Sequence, residues 1–116
     1  MYFGRPRKHL RLCRGDTLKE IFTIYENEPM NAQKYIPNSD DIIYFGVMEP
    51  NSFFEEALIR KRFDITSFNE NGELELVIKP EDTLTLLPGM YYYQIKLKRG
   101  EEVYTLIPQT SFYIDN

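Results

Sequence analysis

The residues best equipped for covalent or acid–base chemistry are few and poorly grouped. His9 is the only histidine and Cys13 the only cysteine. A hydrolase needs a nucleophile, a base and an oxyanion site. No serine or cysteine motif of the nucleophile-elbow type accompanies these two residues, so no cysteine–histidine catalytic pair is expected. Carboxylates are numerous, but Asp40-Asp41, Glu55-Glu56 and Glu101-Glu102 are each adjacent in sequence. On a strand, adjacent side chains face opposite sides, which suits solvated turns better than the shared cleft an acid and a base require. No spaced Asp-x-Asp-x-Asp-Gly loop points to calcium, and no phosphate-cradling or dinucleotide glycine motif occurs. The sequence therefore predicts no catalytic residue, no metal and no cofactor.

Two groups suit recognition instead. Arg5, Arg7, Lys8, Arg11 and Arg14 place five of the fourteen Lys and Arg residues ahead of Asp16, leaving nine basic against seventeen acidic residues from position 17 onward. A basic first segment on an acidic body can dock on an acidic neighbour. Nucleic acid is a poorer partner, since the acidic body repels a phosphate backbone and no zinc-finger or helix-turn-helix pattern is present. The second group is the run Tyr91-Tyr92-Tyr93. Strand alternation sends Tyr91 and Tyr93 one way and Tyr92 the other, and an outward tyrosine can anchor a protein contact or stack on a sugar ring.

The elements that must position these residues read as strands. Glu73 to Lys79 alternates Leu74, Leu76 and Ile78 with polar neighbours, the two-residue period of a strand with one buried face. Asn71-Gly72 before it reads as a tight turn or hairpin. Tyr91, Tyr93, Ile95 and Leu97 share a face of the next strand, opposite Tyr92, Gln94, Lys96 and Lys98. Gly100 turns that strand into Glu102 to Ile107, where Pro108 is expected to interrupt the ladder before Thr110 to Ile114 resumes. Upstream, residues 8 to 14 carry Leu10 and Leu12 inward, Leu18 to Tyr25 follows, and Asp41 to Met48 puts Ile43, Phe45 and Val47 on one face. Glu26 to Asp40, with Pro29 and Pro37, reads as a long connection. Leu58 to Ile65 completes the set, with Phe53 to Arg60 able to hold a short helical turn. Pro88-Gly89 matches the central pair of a type II turn, so Pro88, Gly89 and Tyr91 form the expected structural corner between two sheets.

Seven or eight short strands at such spacing predict an all-β fold, an immunoglobulin-like antiparallel β-sandwich. At 116 residues the chain fits one domain, residues 1–116, with residues 1–9 an extended basic segment. A composition 42% hydrophobic and 15% aromatic is that of a globular chain. The lone cysteine rules out an intramolecular disulfide and a four-cysteine zinc site, and suits a reducing cytosol. Residues 1 to 30 contain no secretory apolar run, and nowhere do about 18 apolar residues occur together, so neither export nor membrane spanning is indicated.

Gly15-Asp16-Thr17 before a strand, Asn71-Gly72 leading into Leu74, Leu76 and Ile78, and Pro80-Glu81-Asp82-Thr83 form one part of a longer pattern. Leu87-Pro88-Gly89, Tyr91 to Ile95, and Val103-Tyr104-Thr105-Leu106-Ile107 with Phe112 form the rest. Together, over about residues 10 to 114, they resemble the immunoglobulin-like sandwich domains of tailed-phage and prophage structural proteins, such as the N-terminal domain of upper baseplate proteins. The resemblance implies a virion component of capsid, connector, tail or baseplate, assembled in the bacterial host cytoplasm through contacts with other virion proteins, as a homo-oligomer or hetero-complex. Family members joined to fibres continue into further segments, so a chain stopping at Asn116 suits a stand-alone accessory subunit. Arg5, Arg7, Lys8, Arg11 and Tyr92 are the expected interface. The alternative is a carbohydrate-binding or cell-surface recognition module that uses its exposed tyrosines.

Overall fold

The computed structural model describes residues 8–26, 33–35 and 37–116. Apolar residues recurring every second position drive most of the chain into strands. In order these are β1 (Leu10–Cys13), β2 (Leu18–Thr23), β3 (Tyr25–Glu26), β4 (Gln33–Lys34), β5 (Asp41–Met48), β6 (Ile59–Phe63), β7 (Glu73–Ile78), β8 (Gly89–Arg99) and β9 (Glu102–Asp115). One helical turn, α1 (Pro80–Thr83), precedes β8. The fold is all-β. A five-stranded sheet has the order β1-β9-β8-β5-β6, β2 pairs with β7, and β3 pairs with β4.

The core is fed from both larger sheets. Phe22, Leu74, Leu76 and Ile78 of β2 and β7 join Ile43, Phe45, Val47, Tyr91, Tyr93, Ile95 and Leu97 of β5 and β8 in one apolar cluster. Each such side chain contributes about 2 kcal/mol by leaving water. Tyr93 is fully buried and still satisfies its hydroxyl, which donates to the Lys8 carbonyl.

Several expectations are corrected. Nine strand segments are described rather than seven or eight: the expected strand Leu18 to Tyr25 is interrupted at Ile24, so that β3 begins at its end, and β4 arises within the expected plain connection. The five-stranded sheet is mixed, not purely antiparallel: β1 lies parallel to β9, with Leu10 opposite Phe112 and Cys13 opposite Asp115. Side-chain alternation carries no information about strand direction, so this pairing left no trace in the pattern. The Asn71-Gly72 turn closes through the Gly72 N–H to the Asn69 carbonyl (3.0 Å), but the strand it leads out of is not β6. Only a single bridge, Phe68 to Leu74, precedes β7. β9 runs through Pro108 without a break, because the β8–β9 register shifts on either side of Ile95. Irregularities of this kind tolerate a residue lacking an N–H, and they bury Leu106 and Ile107 in succession.

Pro88-Gly89 is not a type II turn. Gly89 has φ of +149°, far from the +80° or so that such a turn needs, and it already pairs with Ile114 as the first residue of β8. Between β7 and β8 the chain passes through α1, where Pro80 sits in the first turn and Asp82 accepts the Lys79 N–H at 2.8 Å, and then bends again at Leu86 and Pro88. Thr83, wholly buried, accepts the Gly15 N–H at 2.8 Å and ties α1 to the β1–β2 turn.

Asp41 corrects the reading of Asp40-Asp41 as a solvated turn. It is 2% exposed and accepts both Arg99 Nε and Arg99 Nη2 at 2.9 Å, the Asn38 N–H at 2.9 Å, and the Tyr35 hydroxyl. Burial alone would raise its pKa, but the hydrogen bonds from Arg99, Tyr35 and Asn38 outweigh it and hold the carboxyl below its ordinary range. A folded-state pKa below the unfolded value stabilises the fold fully above about pH 4, and that contribution is lost as pH falls through the folded value. Asp41→Ala should therefore cost about 3–5 kcal/mol at neutral pH, since it removes the buried acceptor shared by Arg99, Tyr35 and the Asn38 N–H. Urea unfolding of both proteins across the acid range should find the gap closing as pH drops; a constant gap would refute the assignment.

Candidate functional site

Because the core takes one face of the five-stranded sheet, the other face is fixed by alternation. On β8 it receives Met90, Tyr92, Gln94, Lys96 and Lys98; on β5, Ile42, Tyr44, Gly46 and Met48. Cross-strand register aligns these in rows. Lys96 faces Tyr44, which faces Arg62 on β6; Gln94 faces Gly46, which faces Arg60. Tyr92 lies between Met48 and Ser111.

Gly46 shapes this surface. After β5 the chain makes a short 3-10 turn, Phe54–Glu56, that folds back onto the sheet. A Cβ on Gly46 would lie 3.0 Å from both the Ala57 Cβ and the Phe54 ring, so the turn sits closer to the sheet here than a side chain at this position allows without displacing it. Lys96 Nζ then lies 5.2 Å from the Phe54 ring centre, a cation–π contact worth about 0.5–1 kcal/mol at an exposed site. Arg60 is aimed by two carbonyls, of Glu55 (2.6 Å) and Ala57 (3.1 Å). Between the turn and β6 a groove of about 430 Å³ opens, with Tyr44, Phe54, Glu55, Arg60 and Arg62 among its walls.

The charges on this face divide into two kinds. Arg11 is answered by Asp115, with Nε to Oδ2 at 2.7 Å and Nη2 to Oδ1 at 2.8 Å, and its guanidinium covers the Tyr113 ring at 4.7 Å. The Arg11 pair lowers the Asp115 pKa, through the hydrogen bond first. Lys96, Lys98, Arg60 and Arg62, by contrast, make no carboxylate ion pair among the described residues.

Of the residues expected at an interface, Arg5 and Arg7 lie outside the described residues. Lys8 is exposed but bonds Glu20 (3.1 Å) and the Ile21 carbonyl (3.3 Å), on the side of β2. Arg11 and Tyr92 share the outer face of the five-stranded sheet, with Arg11 neutralised and Tyr92 half-buried. Tyr44, Gly46, Phe54, Arg60 and Arg62 were not singled out from sequence; the run Arg60-Lys61-Arg62 was the available signal, a second basic group inside an expected strand. At the expected corner, the Tyr91 hydroxyl donates to the Leu87 carbonyl at 2.7 Å, with Pro88 and Gly89 lying between the two. His9 is exposed and its Nδ1 meets the Ser111 hydroxyl, while Cys13 is exposed and unbridged. Among the described residues no group of three or more His, Cys, Asp or Glu side chains is placed to hold a metal, and no helix is long and apolar enough to cross a membrane.

Comparison of the sequence with protein-family models and with curated proteins gives no match.

Two substitutions test this geometry. Gly46→Ala should cost about 1–3 kcal/mol by overpacking and should speed amide exchange at residues 54–57; unchanged exchange would mean the turn does not rest on Gly46. Tyr91→Phe should lower stability by about 1 kcal/mol through loss of one hydrogen bond, read by urea denaturation.

Proposed function

We propose that the chain is a non-enzymatic structural or assembly protein that works through protein–protein contacts on the outer face of its five-stranded sheet. The observation that carries this reading is the combination on one face of half-buried tyrosines, a groove, and four cations that make no carboxylate ion pair among the described residues. Aromatic and guanidinium groups held by a sheet lose little conformational freedom on binding, which is why such residues dominate contact energies.

The architecture belongs to the same proposal. The order β1-β9-β8-β5-β6 facing a β2–β7 pair, a first strand parallel to the last, and a tyrosine at the start of β8 bonded to backbone upstream all fit an immunoglobulin-like sandwich. The setting is the one implied by the sequence resemblance: an accessory component of a phage or prophage virion, built in the host cytoplasm from contacts with itself or with other virion proteins. A fold of this kind hosts many roles, so the surface and not the fold supports the functional reading.

The sugar-binding alternative is less favoured by the same surface. A sugar platform needs open ring faces, whereas Arg11 covers Tyr113 and Lys96 sits over Phe54.

Native mass spectrometry of the full chain, alone and with candidate virion proteins, is expected to find a defined complex. Tyr92→Ala should weaken it by roughly ten-fold or more, the cost of losing an aromatic anchor. A monomer that binds none of them would overturn the proposal, as would glycan-array binding that disappears in Tyr92→Ala.

A further inference from the structure

The five-stranded sheet ends in β1 on one side and in β6 on the other. β6 is an edge strand: it pairs with β5 from Ile43–Phe63 to Val47–Ile59, and its far side carries no strand among the described residues. An edge presents unsatisfied backbone donors and acceptors to any extended chain that approaches, and proteins guard such edges with charge. β6 reads Ile59-Arg60-Lys61-Arg62-Phe63.

Alternation divides these three cations. Lys61 shares the inner side with Phe45, its register partner, and is taken by Asp82 at 2.6 Å. Arg60 and Arg62 go to the outer face. The carbonyls that hold Arg60 orient the guanidinium without neutralising it. Asp64, whose pKa is lowered chiefly by Thr66, also feels Arg62 but forms no ion pair with it. Lys96 adds a third positive charge in the Arg62 row, two strands further in. Among the described residues the one carboxylate side chain on the groove wall is that of Glu55, which is exposed.

Two copies joined through β6 would set these guanidiniums against each other across the new ladder, and like charges directly opposite destabilise strand pairs. An acidic strand meets the reverse condition: each carboxylate opposite a guanidinium is favourable, while apolar residues at alternate positions extend the core margin at Ile59 and half-buried Phe63. The groove leaves room for carboxylate side chains to reach both arginines.

We propose, building on the assembly reading above, that β6 is the acceptor edge for an extended acidic segment of a partner protein. The segment adds as a sixth strand, with its carboxylates beside Arg60 and Arg62 and its apolar residues on the core side. Backbone hydrogen bonds supply the general affinity; the arginines select for acid.

The test uses the full chain and a fluorescein-labelled heptapeptide, Glu-Val-Glu-Val-Glu-Val-Glu, with Lys in place of every Glu as the control. Anisotropy should detect binding of the acidic peptide alone, weakening as salt rises, and hydrogen exchange should slow at the amides of residues 59–63. Arg62→Glu should weaken binding at least ten-fold; it is preferred to Arg60→Glu because Arg60 also holds the Phe54 turn. Equal binding of the lysine peptide, protection away from residues 59–63, or unaltered affinity in Arg62→Glu would each overturn the proposal. Native mass spectrometry of Arg62→Glu separates the two readings. A complex that persists while wild-type chain ignores the acidic peptide sinks the acceptor edge and leaves assembly standing; self-association lost in this variant places a second copy on the edge and overturns the foreign acidic strand.

Discussion

Strand β8 must send Tyr91, Tyr93, Ile95 and Leu97 into the core, because nothing else lies between β5 and β9 to fill it. Once that is settled, strand geometry leaves no choice about Tyr92, Gln94, Lys96 and Lys98, which stand on the opposite face. β5 obeys the same rule with Ile43, Phe45 and Val47 inward, and β6 follows β5 by register. A surface whose membership is dictated by the core is rigid for the same reason the core is. The groove, the tyrosines and the cations on it are thus held in fixed relation without any dedicated scaffold.

Polar groups inside this frame are placed where they can be satisfied, and they mark the points where connections are fastened to strands. Asp41 and Arg99 close the end of the β5–β8 ladder, and Tyr35, arriving from β4, is clamped there by both its hydroxyl and its ring, which lies 5.7 Å from the Arg99 guanidinium carbon and edge-on to Phe68. Burial and the hydrogen bond to Asp41 both push the Tyr35 phenol up, so it remains a donor. Tyr93 does the same for the chain before β1 through the Lys8 carbonyl, and Thr83 for α1. Each is a buried polar atom whose loss would leave an orphan partner, which costs more than the bond itself returns.

How much of this could be read in advance varied with the physics involved. Period-two alternation located β5, β7 and β8 with their inward residues, because one buried face imposes a pattern on the residues themselves. Asp41 was legible in principle: it has the same parity as Ile43 and Phe45, and the adjacency of Asp40 and Asp41 drew attention away from that. Pro88-Gly89 misled because the glycine's positive φ serves the entry to a strand, where the dipeptide alone fits a turn equally well. The parallel β1–β9 pairing, the edge position of β6 and the seating of Phe54 over Gly46 are long-range relations. They depend on which strand lies beside which, and no local composition encodes that.

The edge position matters because it turns a common run of basic residues into something with a direction. At the β1 end of the sheet Arg11 is held by Asp115 in a two-point pair, which cancels most of that residue's own charge. At the β6 end Arg60 is aligned by carbonyls and Arg62 makes no ion pair with a carboxylate among the described residues, on a chain whose overall charge is −4. Neutralisation by a carbonyl dipole and by a carboxylate are different things: the first fixes orientation and leaves the charge outstanding, the second removes it. Complementarity at an interface governs encounter and partner choice more than raw affinity. An edge whose arginines are oriented by carbonyls and keep their charge can therefore discriminate between approaching strands by the sign of the charge they carry.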